Sequence, residues 1–295
     1  MAVSSGTRTI ISPARLGRKR GKRIYWGLLI LVILAFSVAF LGPLYWMVTG
    51  GLKTGREIAQ VPPTLFPQDP NLTAYKDAWT DLNLGQLLLN TVIYAFGALA
   101  FQLVFDVAAA YALSKLRPVL GNAILGLILA TLMVPATTLV IPQYVTVIDL
   151  PIVHWHMLDS PWAIWLPAVA NAFNIFLLKR FFDSIPQELL SAAAVDGAGP
   201  LRTLLWIILP ISRPILGVMS ILSLTAVWKD FLWPLLVEPG ENTKTLNVGI
   251  YAFSKGLTQN TIIAAAVIAA VPTIVFFLFL QRNIMAGLTA GGLKG

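Results

Sequence analysis

The sequence predicts an all-α polytopic membrane protein, and three observations carry that prediction. Apolar residues make up 57% of the 295 residues and charged residues 12%, against roughly 25% charged in soluble domains. Charge-free stretches recur, most of them long enough to cross a hydrocarbon core of about 30 Å at about 1.5 Å per residue. The polar segments between them carry lysine and arginine unevenly. Together these give six spans, at about 24–49, 84–113, 119–148, 160–178, 208–237 and 258–281.

The tail, 1–23, holds Arg8, Arg15, Arg18, Lys19, Arg20, Lys22 and Arg23. Alone it could be a nucleic-acid arm or a targeting peptide. The segment after it, 24–52, has no charge and exceeds the ~7–15-residue apolar region of a cleaved signal. The tail is therefore read as a cytoplasmic anchor for a first span. Residues 50–86 form a loop too polar for lipid, with Lys53, Arg56, Glu57, Asp69, Asp77, Asp81 and four prolines from Pro62 to Pro70.

The second span contains one acid, Asp106, and ends at Lys115 and Arg117. An ionisable group inside a span costs ~2.5–3.5 kcal/mol on the insertion scale, so it should face protein or water. Asp106 is either a pathway residue or a carboxylate capping a neighbouring helix, and its place about three turns before Lys115 suits the second role better. The third span must kink or break at Pro135 and Pro142. His154 and His156, in the following loop, lack a clear third ligand, so no metal site is expected. The fourth span ends at Lys179 and Arg180. In the fifth, the apolar run 214–227 is only ~21 Å long, so it should continue through Trp228, Lys229 and Asp230 into 231–237. A polar loop, 238–255, precedes the sixth span, and 286–295 form a glycine-rich tail.

With the N-terminus inside, fifteen of the 21 lysines and arginines fall on the cytoplasmic side and six outside. The positive-inside rule therefore puts both termini and the 183–204 loop in the cytoplasm. The net charge of +8 is accounted for by these span ends, and no nucleic-acid partner is expected. There is no cysteine, hence no thiol chemistry or disulfide. No G-x-x-x-x-G-K-[ST] loop, H-E-x-x-H helix, nucleophile elbow or Rossmann glycine pattern occurs. The chain is not expected to be an enzyme; ATP-driven work would need a nucleotide site on another subunit.

The 183–204 loop has its own signature. Ser184 and Gln187 have capping-box spacing, and Pro186 suits a first turn. Leu189, Ala192, Ala193 and Asp196 follow at helical spacing, Gly197 is a natural stop, and Gly199-Pro200 can open a second short helix. Ala192, Ala193, Ala194 and Ala198 leave little bulk, so this helix can lie in a groove of another protein with its backbone close to the partner.

The loop resembles the "EAA" loop in the membrane subunits of binding-protein-dependent ABC importers, through Ala192, Ala193, Asp196, Gly197, Ala198, Leu209, Pro210 and Pro214. Ser191 stands where that family usually has glutamate. Further stretches also resemble it: 132–135 with Ile141-Pro142, 181–186, the AVWKDFLWPLLV run and the ending GLTAGGLKG. That ending is similar to the tails of maltose-type sugar permeases. The resemblance implies an importer permease fold and a coupling helix, 186–199, docking an ATPase through Glu188, Ser191, Ala192, Ala193, Asp196, Gly197 and Ala198. It implies a sugar or sugar-like solute, a second homologous permease, two ATPase subunits holding ATP and magnesium, and an extracytoplasmic solute-binding protein. The location implied is a bacterial or archaeal inner membrane, and this chain itself binds no cofactor.

Candidates for the translocation path are Asn90, Asn171, Asn174, Trp228, Asp230 and Trp233. For the asparagines the alternative is interhelical hydrogen bonding. For Trp228, Asp230 and Trp233 it is an interfacial aromatic belt with helix-end satisfaction. Two rival functions are an ion-gradient-driven secondary transporter, which predicts paired mid-membrane charges and internal repeats, and a non-transporting membrane assembly subunit.

Overall fold

The computed structural model describes residues 19–292, with side chains for 21–279. Residues 1–18 of the basic tail and the last three of the C-terminal tail lie outside the described residues. All regular elements described are helices. The first half of the chain gives α1 (Lys19–Leu52), α2 (Gly55–Ile58), α3 (Thr73–Asp81), α4 (Leu84–Tyr111), α5 (Gly121–Thr131) and α6 (Ala136–Ile148). Then come α7 (Trp162–Trp165), α8 (Ala172–Asp183), α9 (Gln187–Val195), α10 (Pro200–Thr203) and α11 (Leu209–Ile211). The chain ends with α12 (Arg213–Lys229), α13 (Leu232–Val237), α14 (Leu246–Phe253) and α15 (Gln259–Gly292). A π-helical turn, Ala112–Leu116, extends α4, and another, Leu204–Ile208, joins α10 to α11.

Three helices are long and apolar enough to cross a membrane alone: 21–52 of α1, 84–116 through α4, and 259–279 of α15. Two bent pairs raise the number to five: α5–α6, turned by 101°, and α10–α11 with α12, turned by 81°. Proline accounts for both bends. Pro135, with no N–H to give, sits at the head of α6, and Pro214 sits in the first turn of α12. The stretch expected as a fourth span is not one helix. It gives the single turn of α7, a turn through Pro167, and α8, which at ~18 Å is short of a hydrocarbon core. The fifth expected span is also interrupted. α12 stops at Lys229, Asp230 is extended (ψ 132°), and α13 restarts the helix.

α4 is the spine of the fold. Its Leu84 end packs Leu84, Leu87, Ala95 and Leu99 against Ala74 and Ala78 of α3, Leu224 and Trp228 of α12, and Ala264 and Ala265 of α15. Its Tyr111 end packs Val107, Ala110 and Tyr111 against Leu178 and Phe182 of α8, Ile208, and Met219 of α12. Small residues let the helices approach closely, which matters because lipid gives apolar side chains no incentive to leave it. Gly97 shows the effect: a Cβ there would fall 2.2 Å from the Trp165 ring.

Two local expectations need correction. The 50–86 segment is not a plain loop, since it folds α2 and α3 and buries two charges. Lys53, 2% exposed, lies 4.5 Å over the Trp46 ring and bonds the Thr64 carbonyl. Glu57, 3% exposed, accepts from Thr64 Oγ1 at 2.6 Å and Gln68 N at 2.9 Å. The Ser184–Gln187 capping box does not form. Ser184 closes α8 and donates to the Phe181 carbonyl at 2.7 Å, while Pro186 precedes α9 with no side-chain cap. A serine at a helix end has nearby backbone acceptors, and those won.

Candidate functional site

The site begins with α9 and its stop. Gly197 has φ +75°, which suits a residue without Cβ. It allows Ala198 N to donate to Ala193 O at 2.9 Å and Gly197 N to Ala194 O at 3.1 Å, the paired bonds of a Schellman ending. Ala193 is buried, and Leu190 packs on the Tyr111-end core. The opposite surface is open: Glu188, Ser191, Ala192, Asp196 and Gly197 are exposed, Ala198 is half-buried, and Val195 is 88% exposed. The next apolar residue on this surface, Leu201, is 68% exposed. The residues expected at a docking surface therefore share one protruding knuckle, apart from Ala193, which faces inward.

Hydrogen bonds to the end of α4 clamp this knuckle at both sides. Tyr111 Oη donates to the Pro200 carbonyl at 2.9 Å, just past α9, and Lys115 Nζ to the Ile185 carbonyl at 3.1 Å, just before it. Ser114 Oγ adds a bond to Asp183 Oδ1 at 2.7 Å. A force on α9 therefore reaches α4 through fixed polar contacts as well as packing. Sequence reasoning missed Tyr111 and Ser114; the only cue was polar side chains at the end of an apolar run.

Asp106, 0% exposed, sits on α4 itself, about one to three turns before the clamp residues Tyr111 and Lys115. It accepts from Asn171 N at 2.9 Å and from Asn174 Nδ2 at 3.2 Å, and Asn174 Nδ2 also reaches Ser223 Oγ at 3.1 Å. Asn171 Oδ1 in turn caps α8 by accepting from Asn174 N at 3.1 Å. This network joins α4, α8 and α12, so Asp106 plays the helix-capping role. Asn90 is likewise engaged internally. Its amide donates to the carbonyls of Asn242 at 2.7 Å and Lys244 at 2.9 Å, pinning the 238–245 loop onto α4.

An open cavity of about 320 Å³ lies between α6, α7 and the α12–α13 break. Asp230 and Trp233 line it together with Thr137, Gln143 and Pro167. Trp233 is fixed by its indole N–H, which donates to the Ala163 carbonyl at 2.9 Å, and Asp230 Oδ1 accepts from Trp233 N at 3.4 Å. The rest of the lining is apolar, so the cavity offers an aromatic face and apolar walls with a carboxylate, a hydroxyl and an amide among them. Trp228 does not join them. It is buried and packs edge-on against Phe276 of α15, with ring centroids 5.4 Å apart. The helical phase separates Trp228 from Trp233, and the break at Asp230 turns the latter toward the cavity. The loop histidines serve separate partners, His154 facing Asp149 at 3.2 Å and His156 the Ile148 carbonyl.

These features define a polytopic helical membrane subunit with a protruding loop helix clamped to its central span. The chain belongs to the binding-protein-dependent transport system inner membrane component family, which its residues 106–289 match. It is 30% identical to the melibiose/raffinose/stachyose import permease protein MelC of Bacillus subtilis, covering 95% of this chain and 100% of MelC. It is 33% identical to the sulfoquinovosyl glycerol transport system permease protein SmoH of Agrobacterium fabrum, covering 86% and 88% of the two. To the sn-glycerol-3-phosphate transport system permease protein UgpE of Salmonella choleraesuis the identity is 31%, over 88% of this chain and 93% of UgpE. The fold resembles a chain in the crystal structure of a bacterial ABC transporter involved in import of the acidic polysaccharide alginate. That match has TM-score 0.79 and 24% identity, over 90% of this chain and 98% of the other.

Proposed function

We propose that this chain is one of two homologous permease subunits in an ATP-driven importer of a sugar or sugar-like solute, coupled to a separate ATPase through 186–199. The clamped, outward-facing α9 is the observation that carries the reading. A helix that exposes Val195 and Leu201 while its two ends are bonded to the central span is built to receive a partner and pass on its movement. Two ATPase subunits hold ATP and magnesium beneath the membrane, and a solute-binding protein docks on the other side. The chain crosses the inner membrane six times with both termini in the cytoplasm, and the α7–α8 stretch makes the fourth, broken crossing. It contributes no cofactor and no catalytic residue.

The relatives' names support the solute class. Melibiose and its oligosaccharide companions, sulfoquinovosyl glycerol and glycerol phosphate all present two or more hydroxyls. A related structure contains an alginate pentasaccharide-bound periplasmic protein. On this reading Asp230, Trp233, Thr137 and Gln143 form this subunit's wall of the path, and the bends at Pro135 and Pro214 let its spans tilt when α9 is moved. Ser191 replaces a charged contact to the ATPase with a smaller polar one, leaving Glu188 and Asp196 as the acids on that surface.

Val195→Asp tests the coupling role, because the side chain is exposed and has no part in the core. Membrane accumulation should be normal, while solute-stimulated ATP hydrolysis and co-purification of the ATPase should fall about tenfold, the effect of losing one apolar anchor worth about 1.4 kcal/mol. Unchanged ATPase recovery and unchanged uptake would refute it.

A further inference from the structure

The Tyr111 end of α4 holds a polar cleft whose remaining donors the coupling role leaves unused. It encloses about 440 Å³ between the π-helical turn after α4, the turn at 117–121 and the last turn of α8. Ser114, Arg117, Asn122, Lys179 and Asp183 line it. Its one carboxylate is already paired. Asp183 takes Ser114 Oγ on one oxygen and Lys179 Nζ on the other, each at 2.7 Å. Burial raises the Asp183 carboxyl, but the bonds from Lys179 and Ser114 outweigh it and hold the group below its ordinary value.

The donors are not spent. Arg117 Nε donates to the Ser114 carbonyl at 3.2 Å, and the terminal guanidinium nitrogens have no partner among the described residues. The Lys179 ammonium has donors beyond the one given to Asp183. The Asn122 amide is exposed, again with no partner among the described residues. Two cations against one carboxylate leave the lining positive. A cleft with spare donors and its carboxylate already paired suits an anion rich in acceptor oxygens, and a guanidinium matches phosphate with two parallel bonds.

The neighbouring side chains indicate where that anion comes from. Leu116, Val119 and Leu120 stand on the same turn at 54%, 103% and 67% exposure. In a membrane-spanning chain, uncovered apolar residues beside a cation cluster at a span's end lie where acyl chains meet headgroups. A soluble anion has no use for them.

We propose that this cleft binds the phosphate of an anionic phospholipid, with the acyl chains lying over Leu116, Val119 and Leu120. Arg117 takes the phosphate with two bonds, and Lys179 and Asn122 give one each. Because Lys179 also holds Asp183 at the entrance to the α9 loop, the bound headgroup adjoins the clamp. The assignment depends on the chain spanning a membrane and not on which solute it carries.

Native mass spectrometry of the full-length chain, purified in detergent, tests this with three probes: dioleoylphosphatidylglycerol, dioleoylphosphatidylcholine and inorganic phosphate. One phosphatidylglycerol per chain should bind about tenfold more tightly than phosphatidylcholine. Arg117→Gln should lose about tenfold in that affinity, about 1.4 kcal/mol. Asn122→Asp places an acid in the cleft without breaking an internal bond and should cost as much; if Arg117→Gln does not accumulate, it decides alone. Equal phosphatidylglycerol binding by wild type and variants overturns the proposal. Equal binding of both lipids does so too, as does displacement by millimolar inorganic phosphate, which would make the cleft a soluble-anion site.

Discussion

Glu238→Gln should change the pH dependence of stability more than any other single substitution outside the spans. Glu238 is the first residue after α13 and is 0% exposed, and neither of its oxygens has a hydrogen-bond partner among the described residues. It sits under the loop that Asn90 pins and Asp159 braces, where Asp159 Oδ1 accepts from Gly240 N at 2.6 Å and Thr243 Oγ1 at 2.7 Å. The loop's cation, Lys244, is turned to the Gly240 carbonyl at 2.9 Å. Burial first, and the Asp159 charge second, push the Glu238 carboxyl up to about 8. Its ordinary value is 4.5. Between those two values the folded chain holds a proton that the unfolded chain has released. Stability from this group is therefore complete below about pH 4.5, falls as pH rises toward 8, and is flat above that. At about 1.4 kcal/mol per pH unit the ceiling is about 5 kcal/mol. Glutamine keeps the shape and removes the titration. Thermal unfolding of the two proteins in detergent, followed by tryptophan fluorescence, should give similar Tm values near pH 5. The variant should be higher by several degrees, about 5–10 °C, at pH 8.5. Parallel Tm curves from pH 5 to 9 would show that Glu238 is ionised and solvated in the folded chain, and the burial argument would be wrong.

Other substitutions address the clamp and the core. Gly197→Val forces a β-branched residue to φ +75° with nothing within 4 Å of its Cβ, so the cost is backbone strain of about 1–2 kcal/mol. Uptake and ATPase coupling should fall at normal membrane yield, and unchanged uptake counts against α9 as the lever. Tyr111→Phe removes one end of the clamp and should lower thermal stability by about 0.5–1.5 kcal/mol, with a larger proportional loss in coupled transport; equal losses in both would reduce the tyrosine to packing. Asp106→Ala orphans the Asn171 N–H and one of the two N–H groups of the Asn174 amide and should cost about 1–3 kcal/mol. Asp106→Asn, which keeps an acceptor oxygen, should recover part of that in the same unfolding assay. Gly97→Leu meets the Trp165 ring and should abolish accumulation of folded protein, whereas Gly126→Leu, with nothing within 4 Å of its Cβ, should be tolerated.

The amino-acid order alone settled the class of this protein. Charge-free runs longer than a bilayer core leave a chain no soluble alternative, and a stop such as Gly197 after an alanine-rich turn is a local signal that needs no tertiary context. The small residues, the Asp-Gly pair and the paired prolines of the α9 loop were legible for the same reason, because their conformations depend on near neighbours. What the order could not supply is which polar groups meet across helices. Asn90, Asn174 and Asp106 carry the same donors and acceptors whether they face solute or protein, and only the packing around α4 made them internal ties. The direction of a helix break is equally non-local. It separated Trp228, sealed against Phe276, from Trp233, turned to the cavity five residues later. Tyr111 as a clamp and Glu238 as a buried acid became visible only in three dimensions, because burial belongs to what surrounds a residue and not to the residue itself.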